Sequence, residues 1–352
     1  MATSDRLTDL FSRERVRTPS AGVAALAVLI ALLVVSPVAY LVVTAVDAPP
    51  EAYALLVSAD TLQVLANSVL VVAATSALTV VLGVPLAVLT VQTDLPFSRF
   101  WTVTAALPLV VPEYVGAFAF ASAFGPHGAL RDLLAPLGVS TVPTVYGLQG
   151  TVLVFALFTY PYVFLTTRAA LLSVDGTLIE AARTLNRSKL GALRDVVLPQ
   201  VLPAVSAGVL LVALDALADF GTPAIMHYDT FMRQIFVQYH NPSAPGFTAL
   251  LSLQLLAVVA VVLFLESRFG GDTTGGIVGN GGGGPGTFRL GRWRWVAVLY
   301  PAGVGVLALG LPLAVLARWK LRAGRVYGGF PFHWTYALNS VEVAALAAAV
   351  AV

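Results

Sequence analysis

Long apolar runs alternate with short polar segments along this chain, and the runs are too long for the core of a soluble domain. A helix crosses a bilayer in about 20 apolar residues. Seven runs reach that length, near 21–46, 65–92, 100–124, 146–172, 199–219, 247–265 and 295–317. An eighth begins at Ala337 and extends to Val352. The pattern predicts an all-α, polytopic transmembrane protein. Four arginines (Arg6, Arg13, Arg15, Arg17) precede the first run, which has no small-residue cleavage site and is succeeded by many others. It reads as a retained helix rather than a removed signal peptide.

Positive charge in the polar segments sets the expected orientation. With the N-terminus in the cytoplasm, the inner segments 1–20, 92–100, 168–198 and 267–294 hold 14 of the 20 Lys and Arg. Arg318, Lys320, Arg322 and Arg325 are the dissent, because they fall outside. Long basic side chains can snorkel to the headgroups. The expected location is the cell membrane, multi-pass, with the N-terminus inside.

Composition agrees. Apolar residues make up 58% of the chain and charged residues 11%, against roughly 25% charged in ordinary soluble proteins. A formal charge of +2 is no nucleic-acid footprint. The absence of cysteine excludes a disulfide scaffold, a thiolate metal site and a Cys nucleophile. Four histidines with no His-rich tract argue against a metalloenzyme.

Residues 270–286 carry ten glycines and a proline. A phosphate-binding loop needs a Lys-Ser/Thr after its glycines and a strand before them. Neither is present, so 267–294 reads as a flexible cytoplasmic linker.

The stretch after the linker echoes the start of the chain. Asn67-Ser68-Val69 recurs as Asn339-Ser340-Val341, and 67–80 matches 339–352 at seven of 14 positions. Pro37, Ala39 and Leu41 likewise match Pro312, Ala314 and Leu316. Six runs separate the repeat starts, so both copies point the same way across the membrane. The expected organisation is a cytoplasmic segment 1–20, a first transmembrane domain 21–266 with an inner loop 175–198, the linker, and an incomplete second repeat 295–352. A chain so truncated is expected to need a second half, or a homodimer, to transport anything.

The inner loop is the most informative segment. Thr177 and Glu180 have capping-box spacing. Asn186 can end that helix in the left-handed conformation. Ser188 can cap a second helix, whose Leu190, Leu193 and Val197 share a face. Glu180-Ala181-Ala182, Asn186, Val196 and Leu198-Pro199 stand at the spacing E-A-A-x3-G-x9-I-x-L-P, with Asn in the glycine position.

That loop resembles the EAA loop of permease subunits of binding-protein-dependent ABC importers, with the type I permease fold. The resemblance implies that Glu180, Ala181, Ala182, Asn186, Leu198 and Pro199 couple the membrane part to a separate ABC ATPase. It implies no cofactor and no catalysis on this chain, since ATP is bound by the partner subunit. An extracytoplasmic solute-binding protein would deliver the solute. Leu217-Ala218-Asp219-Phe220-Gly221, Tyr228-Asp229-Thr230-Phe231 and Gln238-Tyr239 further resemble the ferric-iron branch, which has two fused halves. Thiamine, phosphonate and polyamine importers share that architecture and remain alternatives. So does a secondary ion-coupled transporter, which would leave the EAA spacing unexplained.

Three carboxylates lie in apolar runs. Glu113 sits beside Pro108 and Pro112, and Asp215 shares a helix face with Asp219. Carboxylates at such depth are costly and mark functional candidates, here a translocation path. The bland alternative is that they satisfy a helix break or buried hydrogen bonds. Asp219-Phe220-Gly221 spells a kinase motif, but no catalytic loop or strand lysine accompanies it. His227, Tyr228, Asp229, Tyr239 and His240 have ligand types suited to hard metal ions. The family keeps its metal on the binding protein, so they read as a docking surface or local packing, with no resident metal site.

Overall fold

The computed structural model describes residues 21–125, 128, 130–131, 135–138, 143–174, 191, 197–240, 245–269, 289–326 and 333–351. Its described elements are helical. They are α1 (Ala21–Val46), α2 (Pro50–Leu56), α3 (Ala59–Gln92), α4 (Ser98–Ala106), α5 (Glu113–Phe124), α6 (Leu148–Ser173), α7 (Leu198–Ala218), α8 (Gly221–Ile225), α9 (Phe231–Tyr239) and α10 (Pro245–Phe269). A further span covers Gly291–Leu321, and α11 covers Trp334–Ala351.

Six described helices are long and apolar enough to cross a membrane, and a bent pair supplies a seventh. The sequence places one continuous run at 100–124. The structure breaks it: Ser98–Val110 and Glu113–Phe124 meet at 94°. Pro108 and Pro112 flank the corner. Neither can donate a backbone hydrogen bond, and Pro112 pushes the residue before it out of the helical region. Val111 accordingly has ψ 120°. The stretches between the apolar runs also contain short helices, α2, α8 and α9.

Helix α6 is the centre of the bundle, packed against α3 on one side and α7 on the other. Glycine lets both neighbours approach. A β-carbon on Gly83 would meet the Tyr160 carbonyl oxygen at 3.0 Å, and one on Gly208 would meet Val163 Cα at 2.7 Å. Small residues at helix contacts are the membrane solution to packing, because lipid offers no hydrophobic drive between helices. Phe155, Phe158, Tyr160 and Phe164 of α6 are fully buried as a result. By contrast, α1 shows its apolar surface over most of its length. It is held near its end, where Ala45 packs in a cluster with Ala52, Ala249 and Leu250, and Tyr53 donates to the Ala45 carbonyl at 2.6 Å.

Loop contacts sort the polar segments onto two ends. At one end the Gly147 amide donates to Met226 O at 2.6 Å, and Asn67 donates to Asp229 O at 3.0 Å. At the other, Leu290 N donates to Asp94 Oδ1 at 2.6 Å. The α3–α4 turn and the residues just before the last span therefore share a face. The last span contains a π-helical stretch, Val306–Gly310, immediately ahead of Pro312. A wider turn there relieves the clash between a proline ring and the preceding turn.

Candidate functional site

The break between α4 and α5 positions the first carboxylate. Glu113 opens α5, where unpaired backbone N–H groups favour negative charge. Asp215 lies in the last turn of α7, and Asp219 is the residue that ends that helix. The fold brings the three together: Glu113 lies beside Asp215, with Asp219 near both. All three residues are partly accessible rather than sealed. They form a partly accessible acidic cluster at the end of the core that carries Gly147 and Met226.

Asp219 has a structural duty as well. Its Oδ1 accepts from Gly221 N at 3.0 Å and its Oδ2 from Thr222 N at 2.9 Å, which starts α8. Sequence spacing makes the Asp215–Asp219 pair visible, because i and i+4 share a face. Glu113 joins them only through the tertiary fold. Tyr162 of α6, which feels both Asp215 and Glu113, is a member the sequence does not reveal, since one tyrosine in an aromatic-rich helix carries no signal.

The expected docking residues divide. Tyr228 is drawn into the bundle beside Val71, Phe155 and Ala216, and burial raises its phenol above the usual range. His227 adopts a left-handed backbone at φ 55° and stacks on Tyr146 at 4.8 Å. Asp229 pairs with Arg233. Tyr239 and His240 end α9 exposed, and His240 Nδ1 lies 2.8 Å from Phe236 O. Among the described residues no group of three His, Cys, Asp or Glu is placed to hold a metal ion. Nearby at the same end, a recess of about 700 Å³ is lined by Tyr40, Thr44, Asp47, Glu51 and Gln238, among others.

The coupling candidates Glu180, Ala181, Ala182 and Asn186 lie outside the described residues. Leu198 and Pro199 are described, exposed at the start of α7, next to a buried Val197. Gln92 at the end of α3 is fully buried with neither amide atom hydrogen-bonded, a polar group that the run of apolar neighbours hides from sequence reasoning.

Comparison with known proteins fits this layout. The model of a family described as the binding-protein-dependent transport system inner membrane component matches residues 79–270. A Fe(3+)-transport system permease protein of Haemophilus influenzae is 27% identical over 227 residues, 64% of this chain and 41% of that protein. A sulfate transport system permease protein of Salmonella typhimurium is 30% identical over 48% of this chain and 63% of its own. A molybdenum transport system permease protein of Mycobacterium bovis is 28% identical over 61% of this chain and 81% of its own. The chain thus spans about two fifths of the length of the ferric relative. In fold it is similar to a bacterial ABC transporter involved in import of the acidic polysaccharide alginate, with TM-score 0.55 and 13% identity over 70% of this chain and 93% of that one. The matched stretch runs from within α3 to the end of α10, and on that footing the chain belongs to the inner-membrane components of binding-protein-dependent transport systems, the permeases of ABC importers.

Proposed function

We propose that this chain forms the membrane path for ferric iron, handed over by an extracytoplasmic binding protein and driven by a separate ABC ATPase. The N-terminus and residues 177–198 face the cytoplasm in this reading. The short helices of that loop dock on the ATPase through Glu180, Ala181, Ala182 and Asn186, and Leu198-Pro199 pass its movement into α7. ATP is bound and hydrolysed on the partner, and the path opens alternately to the two sides.

The observation that carries the solute assignment is the cluster of Glu113, Asp215 and Asp219. Relatives of this chain include permeases named for sulfate and molybdenum as well as for Fe(3+). A cluster of carboxylates repels an oxyanion and attracts a cation. Similarity to the Fe(3+) permease then selects iron among cations. A cationic organic solute such as thiamine or a polyamine is the second reading that the same cluster favours.

The test is uptake into proteoliposomes holding the whole transporter, with the binding protein presented loaded. Labelled ferric iron is expected inside the vesicles in an ATP-dependent manner, and Glu113→Gln combined with Asp215→Asn is expected to lower the rate without loss of the assembled complex. Uptake of sulfate or molybdate instead, or full iron transport by the double variant, overturns the assignment. In the same preparation Glu180→Lys is expected to abolish ATPase co-purification while the membrane part stays folded. Undiminished co-purification rejects the coupling role.

A further inference from the structure

Helix α3 runs without interruption from Ala59 to Gln92 and carries Pro85 in its interior. A proline has no N–H, so the carbonyl four residues earlier, Val81 O, loses its donor within the helix. Val81 is 60% exposed, on a side of α3 turned away from the core. In a membrane no water replaces the lost bond there, and a neighbouring helix must. The structure supplies the donor from the last span, Gly291–Leu321. The Tyr300 hydroxyl donates to Val81 O at 2.7 Å, with Leu82 O as a longer second acceptor at 3.2 Å.

The bond lies at a level where α3 is gripped from its other side as well. Two residues along a helix turn through about 200°, so Val81 and Gly83 point to nearly opposite sides. Gly83 presses on α6, where a β-carbon would meet the Tyr160 carbonyl oxygen at 3.0 Å. Thus α6 holds α3 through a missing side chain, and the last span holds it through a hydroxyl. A second bond fixes the register of that span: Leu290 N donates to Asp94 Oδ1 at 2.6 Å, at the turn that ends α3. From 290 to 300 a helix rises about 15 Å, and from 94 back to 81 about 20 Å. The last span and α3 are therefore antiparallel neighbours tied at two heights.

We infer that Tyr300 is a positioning residue for α3: its hydroxyl stands in for the N–H that Pro85 lacks, keeps the helix continuous through the proline, and makes α3 and the last span move as one body. The inference goes beyond the permease reading and depends on neither the solute nor the loop at 177–198. It assigns the hydroxyl, not the ring, as the acting group. Phenylalanine keeps the ring that packs against the core beside Val304 and Ala308 and removes the donor alone.

The test is a double-mutant cycle in the full chain reconstituted in lipid bilayers, read by distance as well as by stability. The chain has no cysteine, so Val69→Cys in α3 and Leu313→Cys in the last span, both at exposed positions, accept a pair of spin labels without background. Each lies about 20 Å along its helix from the Tyr300 bond, so their separation reports the angle between the two helices. Tyr300→Phe is expected to move or broaden the distance distribution beyond the width of the parent peak, and to lower the midpoint of unfolding by SDS. Pro85→Ala returns an N–H to Val81 O. In that background Tyr300→Phe is expected to change neither readout further. A distance distribution that Tyr300→Phe leaves unaltered beside Pro85 overturns the inference. So does a change of equal size in the two backgrounds, which would mean that the hydroxyl acts without regard to the proline.

Discussion

Helices α3 and α11 carry the same polar pair and live in different surroundings. In α3, Ser68 is buried and both residues hold a loop. In α11 the pair is exposed and the helix is nonetheless intact from Trp334 to Ala351. An apolar helix satisfies its own backbone, so it forms before and without its neighbours. Packing is a second decision, taken by small residues and hydrogen bonds. The difference shows which sequence features specify the helix and which specify its partner: hydrophobic length does the first, while the Asn-Ser pair and the small-residue face do the second.

If packing is separable from helix formation, damage at a packed glycine must greatly exceed damage at an open one. Gly208→Leu is expected to have the largest effect. Its β-carbon alone would come within 2.5 Å of Thr166 Oγ1 and 2.7 Å of Val163 Cα, neither of which is the end of a long flexible chain. Overpacking of this kind costs about 3 kcal/mol, and it should appear as a lower unfolding midpoint in detergent. Gly303→Leu, in the last span, is the control. No atom lies within 4 Å of a β-carbon there, and a change of no more than about 0.5 kcal/mol is expected at such a site. Equal losses in the two variants would erase the distinction between the packed and the open helices.

The sequence carries the helices well and their meetings poorly. Hydrophobic length alone locates all seven spans, because a bilayer imposes a minimum that few soluble segments imitate. It misses the corner at 111–112, since hydropathy does not register a change of direction, although Pro108 and Pro112 mark the place. The short helices α2, α8 and α9 are invisible for a related reason: each spans too few turns to set up a period. In the site, Asp215 and Asp219 are related by local spacing, but Glu113 reaches Asp215 from about a hundred residues away. Asn67 and Ser68 are conspicuous as polar residues in an apolar helix, and the repeat singles them out. Their partners at Asp229 and Phe231 are 162 and 163 residues distant, a separation that no local pattern encodes. The EAA spacing is the opposite case, a family resemblance legible at once in a loop whose residues 175–190 lie outside the described structure.

A smaller and sharper contrast comes from one hydroxyl in each copy. Ser68→Ala removes the acceptor of Phe231 N–H, and Phe231 is 1% exposed. No water can take the place of the lost oxygen without opening the packing of Val64, Phe231 and Leu251. A buried donor left unsatisfied costs about 1–3 kcal/mol, so the unfolding midpoint is expected to fall, and amide exchange at the start of α9 to quicken. Ser340→Ala deletes the same group from an exposed face, where its hydrogen bond runs to its own helix at Tyr336 O. That bond competes with the helix ladder rather than supporting it, so the purified chain should unfold as before. The two alanine variants therefore differ in what they remove: the first breaks a contact between separate elements, and the second only a bond within one helix. Matching destabilisation in both would mean that α11 is already packed in the isolated chain, and the separation of helix from partner would fail there.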